Sequence, residues 1–285
     1  MTILLTAANG RTGRAVLTAL TDAGASVKVF IRDEQQWPEL QALGAAAFAI
    51  GDMEDSSSIA AAIEGCDKLV HIGPPMHPNE IEITDRLIEA GKEVGLQQFV
   101  YYSVMHPLRR DVRHHRLKLD AEEHVIESGL PYTIVQPTRY MQHLAPIWNS
   151  VKDKGEHAMA FSTEMKFNVA DLRDLAEATA VVVTQPGHLY ATYELAGPEP
   201  LSQTDMAAII SDVLGRNVTA RAIPLAELEQ KARAAGASED RVAQMVTMND
   251  HYDRFGFRGN PNVLRWLLGR ELRQFKDYVR DLAQP

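Results

Sequence analysis

The segment Ala7-Ala-Asn-Gly10-Arg11-Thr12-Gly13 has the spacing of a phosphate-cradling turn, with Ala7 where the first of three glycines usually stands. The apolar run Ile3-Leu4-Leu5 precedes it and an amphipathic stretch follows, so strand, tight turn and helix come in the required order. In that setting backbone N–H groups and the positive end of the helix meet a pyrophosphate. Gly10 permits close approach of the phosphates, and Gly13 lets the helix pack against the strand. Ala7, Asn9, Gly10, Arg11, Thr12 and Gly13 are therefore candidate dinucleotide-binding residues. The plainer alternative is an ordinary strand-to-helix turn.

The next strand bears on which dinucleotide. Ser26-Val-Lys-Val-Phe-Ile31 reads as a strand that stops at Arg32-Asp33. A carboxylate at this tip binds the ribose 2′-OH of NAD, whereas the 2′-phosphate of NADP calls for a cation. Arg32 holds the tip, and Arg11 lies in the glycine turn. Two guanidiniums grip a phosphate dianion by bidentate contacts. NADP(H) is the expected cofactor. NAD(H) stays open as the alternative, with Asp33 available for a ribose.

These residues need a sheet to hold them, and the first half of the chain supplies the pattern. Strands are expected at 45–50, 69–72, 98–103 and 132–135, the last stopped by Pro137. Helices are expected at 56–64, capped by Asp55, at 78–95 and at 111–128. Such alternation specifies an α/β fold with a doubly wound parallel sheet. Beyond residue 140 the rhythm loosens. Short strands are expected at 165–171, 190–195 and 218–223. Ser202-Gln-Thr-Asp205 reads as a capping box, and residues 239–283 read as largely helical apart from a turn at 256–261. The division expected is a cofactor-binding core at 1–140 and a smaller, mostly helical substrate-binding region at 141–285, with some segments returning to the sheet.

Bulk properties narrow the partners. The 285 residues are 45% hydrophobic and 24% charged, as in an ordinary globular protein. A formal net charge of -9 argues against nucleic acid as the main partner. The cluster Arg109, Arg110, Arg113 and Arg116 is interleaved with Asp111 and two histidines and reads as a solvated helix start. No apolar run approaches the ~18 residues of a membrane helix. The single cysteine, Cys66, forms no internal disulfide, and the chain opens on a core strand without a signal-peptide pattern. A cytoplasmic monomer or homodimer acting on a small molecule is expected. His114-His115, with His106 upstream, lack the spacing of a metal site, so no metal is expected.

Taken in order, these segments resemble the NmrA-like branch of the atypical short-chain dehydrogenase/reductases, whose core is a Rossmann fold. The resemblance runs through the turn at 7–13, Arg32, Gly51-Asp52-Met53, Pro74-Pro75 and Phe99-Val-Tyr-Tyr-Ser103. It continues through Lys118, Pro131-Tyr-Thr-Ile-Val-Gln-Pro137, Tyr193-Glu-Leu-Ala-Gly-Pro198 and Leu267-Leu-Gly-Arg270. It implies that Asp52 and Met53 edge the adenine and that Gly73, Pro74 and Pro75 lie along the nicotinamide half. It also implies that Lys118 binds the nicotinamide ribose and that Gln136 and Pro137 border the reactive ring. Many relatives have arginine where this chain has Gln136.

Reductases of the wider superfamily use a tyrosine with a lysine four residues later, the lysine lowering the phenol's pKa for proton donation. None of the eight tyrosines here has that partner. His114 and Lys118 occupy the matching positions, on one helix face. Three readings stand open: His114 as proton donor, a delocalised acceptor such as a quinone that needs no dedicated acid, or cofactor binding without turnover. The imidazole's ordinary pKa of about 6.5 suits acid–base work, and the charge of Lys118 would favour its neutral form. Ser103 either faces the substrate or bonds backbone. Tyr140 either offers a second phenol or packs as a core aromatic.

Overall fold

In the computed structural model, which describes residues 1–284, the first half alternates as the sequence pattern requires. The order is β1 (Thr2–Leu5), α1 (Arg11–Asp22), β2 (Ser26–Ile31), α2 (Trp37–Ala42), β3 (Ala47–Ile50) and α3 (Ser56–Ile63). Then come β4 (Lys68–Ile72), α4 (Glu80–Val94), β5 (Gln98–Tyr102), α5 (Arg113–Glu127) and β6 (Tyr132–Pro137). The second half holds α6 (Trp148–Lys154), β7 (Glu156–Met159), β8 (Phe167–Asn168), α7 (Leu172–Thr184), β9 (Ala191–Leu195) and β10 (Pro200–Leu201). It closes with α8 (Gln203–Leu214), β11 (Thr219–Ala222), α9 (Leu225–Ala234), α10 (Glu239–Phe255), α11 (Asn262–Leu268) and α12 (Phe275–Ala283).

The main sheet has seven strands in the order β3-β2-β1-β4-β5-β6-β9, and β1 to β6 pair in parallel. Strand order reverses between β1 and β4, which places the topological switch point at their carboxyl ends. Alternation along each strand sends Leu4, Phe30, Leu69, Phe99, Tyr101 and Ile134 into one core layer. Ile59 and Ile63 of α3, Ile83 and Leu87 of α4, and Ala121 and Val125 of α5 meet them there. The fold is the expected α/β architecture with a parallel sheet and a helical C-terminal region.

The chain forms two compact units that do not correspond to a single cut. The first comprises Met1–Leu108, His115–Pro137 and Arg173–Glu194; the second comprises Arg109–His114, Thr138–Leu172 and Leu195–Pro285. Within the second, β7 pairs with β11 in parallel and β8 with β10 antiparallel.

Several element bounds differ from the sequence pattern. The strand expected at 165–171 is only Phe167–Asn168. Strand β6 runs on to Pro137 because a proline lacks only its N–H; its carbonyl accepts from Met105 N at 2.9 Å. Two caps match the expectation. Asp55 accepts from the N–H groups of Ser57 and Ser58, both at 3.1 Å, and Ser202 with Asp205 forms a reciprocal capping box on α8.

Candidate cofactor site

The turn after β1 is built by close backbone approach. Ala7 adopts φ +48°, and its carbonyl accepts from Gly10 N at 3.0 Å. A Cβ on Gly13 would lie 2.2 Å from that carbonyl oxygen and 2.6 Å from Ala8 Cα, so only glycine fits there. Arg14 locks the outside of the turn: its Nε donates to Asn9 O at 3.1 Å while its other end pairs with Glu39 of α2.

The turn forms one wall of a pocket of about 360 Å³ at the switch point. Ala7, Asn9 and Gly10 line it from β1, Arg32 from the end of β2, Asp52 and Met53 from the end of β3, and Pro74 and Pro75 from the end of β4. Four consecutive strand ends thus converge on a groove of dinucleotide type. Arg32 is exposed, and among the described residues no carboxylate pairs with it. Asp33 is engaged elsewhere: its Oδ1 accepts from Gln35 N at 2.9 Å and caps the following turn. Asp52 Oδ1 accepts from Glu54 N at 2.9 Å while the residue still lines the pocket. Of the other expected cofactor residues, Arg11, Thr12, Gly13, Gly73, Lys118, Gln136 and Pro137 do not line this pocket.

Behind the switch point lies a buried polar cluster that sequence reasoning missed. Lys118 Nζ donates to Glu80 Oε1 at 2.6 Å and to the Tyr102 carbonyl at 3.2 Å, and it sits 5.0 Å from the Tyr101 ring centroid. The Tyr101 hydroxyl donates to the same Glu80 oxygen at 2.8 Å. Burial alone would raise the Glu80 carboxyl, but the Lys118 charge and these hydrogen bonds outweigh it and hold the group below its ordinary value. A Cβ on Gly73 would lie 2.7 Å from Glu80 Oε1, so this glycine lets the β4 loop cross directly over the carboxylate. His71 completes the cluster. Its Nδ1 lies 3.1 Å from Thr6 Oγ1 and its Nε2 lies 3.4 Å from Thr84 Oγ1. Complete burial pushes its pKa down to about 3, so it is neutral.

A second buried carboxylate, Glu122, stands one turn beyond Lys118 on α5. Gln136 Nε2 donates to both its oxygens at 2.9 Å, and the Ser103 hydroxyl donates to Oε1. Burial raises the Glu122 carboxyl despite these donors and the Lys118 charge. The Ser103 hydroxyl thus bonds a side chain rather than backbone. Glu122 continues the face of Lys118, Ala121 and Val125, which was the one available signal for it. His114 is half-buried in the first turn of α5. Tyr140 stacks on His143 with ring centroids 5.3 Å apart.

The glycine turn, the converging strand ends and the whole element order are those of one family. The NmrA-like family model matches residues 1–282. The chain belongs to this family. It is 29% identical over 279 residues to an NAD(P)H azoreductase of Xenophilus azovorans, covering 98% of this chain and 96% of that relative. Among solved structures, the NADPH-dependent quinone oxidoreductase of Escherichia coli complexed with NADPH superposes with a TM-score of 0.87 at 21% identity, covering 99% of this chain and all of that one (100%). NmrA itself, a negative transcriptional regulator in complex with NADP, gives a TM-score of 0.79 at 18% identity, covering 98% of this chain and 94% of that one. The NmrA-like family contains NAD(P)H azoreductases and quinone oxidoreductases. Among the described residues no helix is long and apolar enough to cross a membrane, and no cluster of metal-ligating side chains occurs.

Proposed function

We propose that this NmrA-like protein is an NADPH-dependent oxidoreductase that passes hydride to a quinone-like, aromatic or other small carbonyl acceptor. The observation that carries the reading is the 360 Å³ groove at the switch point, with an unpaired Arg32 at one side and the glycine turn at the other. The residues that line the groove fit NADP: the turn around Gly10 suits a pyrophosphate, Arg32 suits the 2′-phosphate, and Asp52 with Met53 suits the adenine edge. Asp33 caps the following turn and is not among the residues lining the groove, whereas Arg32 is, which supports NADP over NAD. When bound, the nicotinamide supplies the hydride.

The state of Lys118 favours an acceptor that tolerates weak acid catalysis. Its charge is compensated by Glu80, and the position four residues before it holds histidine rather than tyrosine. A quinone spreads the incoming negative charge over its ring and needs little help from a proton donor. His114 is the side chain proposed to deliver a proton where one is required. The azoreductase and quinone oxidoreductase among the relatives support this choice of acceptor.

A second reading, an NADP(H)-binding regulator without turnover, draws on the same missing phenol. NADPH oxidation followed at the nicotinamide absorbance against quinones, azo compounds, aldehydes and ketones separates the two. Enzyme-dependent oxidation with any acceptor supports the reductase. Tight NADPH binding with no oxidation across the panel favours the regulator.

A further inference from the structure

The second unit contains a narrow aromatic pocket with two polar groups that have no oxygen partners. Arg139 follows β6 and points among Phe161, Phe167, Tyr140 and Met159. Its guanidinium lies 5.1 Å from the Phe161 ring centroid, and its one hydrogen bond runs to the Met159 thioether at 3.8 Å. Among the described residues no carboxylate neutralises it. The acidic group that feels its charge is the Tyr252 phenol, which burial holds well above its ordinary value and therefore protonated. His157, on β7, lines the same pocket at 4% exposure, and its Nδ1 has no hydrogen-bond partner.

The His157 Nδ1 is costly as it stands, because a buried polar atom without a partner loses its hydration without return. The half-buried Arg139 guanidinium faces a thioether and an aromatic ring, neither of which carries a charge to match it. The pocket that both residues line, about 20 Å³, takes one water or the head of a small ligand and leaves any larger body at the mouth. Burial and the Arg139 charge lower the His157 imidazole to about 4, so at neutral pH it offers one N–H and no charge. A planar oxyanion satisfies both groups together: one oxygen accepts from the guanidinium and the other from His157 Nδ1–H.

We propose that Arg139 and His157 form a carboxylate-binding site, with the flanking aromatic side chains receiving an apolar body attached to that carboxylate. The site goes beyond the reductase reading and holds whether or not the protein turns over NADPH.

Isothermal titration of the full chain without cofactor tests it, using benzoate, its neutral isostere benzamide, and acetate. Benzoate is expected to bind, with benzamide at least about tenfold weaker because its amide oxygen can accept a hydrogen bond but carries no charge to match the guanidinium. Benzoate binding well above acetate would support the proposal in full; acetate matching benzoate would overturn its aromatic half, because the flanking rings would then contribute nothing. Arg139→Met should abolish benzoate binding, and His157→Phe should weaken it. Equal binding of benzoate and benzamide to the unaltered protein, absence of benzoate binding, or full retention in a folded Arg139→Met variant would each overturn the proposal.

Discussion

Replacing Lys118 with methionine leaves the Glu80 carboxylate buried against the Tyr101 hydroxyl with no cation beside it. The two side chains are 7% and 3% exposed, so solvent does little to screen the change. Breaking such a pair from one side costs about 3–5 kcal/mol, because the remaining charge stays desolvated. The loss should depend on pH, with a sign set by Glu80. In the unaltered protein its pKa lies below 4.5, so the pair's contribution is full above that value and fades as pH falls through the lowered one. Without Lys118 the folded-state pKa moves above 4.5. The variant is then least penalised at low pH and loses stability as pH rises through the raised value. Urea unfolding at pH 8 and pH 5 should therefore show a wide gap between the two proteins that narrows towards pH 5. The double variant Lys118→Met/Glu80→Gln should recover much of the loss at pH 8. A loss below about 1 kcal/mol at both pH values would refute the buried-pair reasoning, since that is the scale of an exposed ion pair.

Three further outcomes follow from the cofactor site and its helix. Arg32→Ala should weaken NADPH binding by about 2–3 kcal/mol, the scale of a charged hydrogen bond with its partner left unpaired, and leave NADH binding unchanged; fluorescence titration of both cofactors checks it, and equal losses would remove Arg32 from the 2′-phosphate. Gly13→Ala pushes a Cβ to 2.2 Å from the Ala7 carbonyl, so the turn must open, with loss of thermal stability and of NADPH affinity together; wild-type values for both would contradict the geometry. His114→Phe should slow turnover by about 10²-fold with NADPH affinity intact and remove a titration from the pH–rate profile; an unchanged rate and profile would make the histidine a bystander.

The sheet was readable in the sequence because its signals are local. Ile3 to Leu5 before the glycine turn, Asp55 before α3 and Ser202 with Asp205 before α8 each announce an element within a few residues. In the pocket wall Arg32 was readable for the same reason, since it stands immediately after β2, whereas Asp52 and Pro74 followed only from the resemblance to the NmrA-like family. Contacts between distant segments left no such mark. Glu80 reads as one more acidic residue in a helix's first turn, and only the fold brings it to Lys118, 38 positions later. Glu122 shares the buried face of α5, but nothing local says that Ser103 and Gln136 close over it. Arg139 looks like a surface cation, and His157 sits in a stretch without periodicity. The return of residues 173–194 to the first unit also depends on tertiary packing.

The central claim is hydride transfer from NADPH bound at the switch-point groove. Anaerobic stopped-flow mixing of the NADPH-loaded protein with a quinone, using NADPH and NADPH deuterated at the transferred position, tests it most directly. The account predicts one hydroquinone formed per NADPH oxidised, with a slower transient for the deuterated cofactor. NADPH that binds but persists unoxidised, or oxidation at a rate equal to the protein-free control, would contradict it.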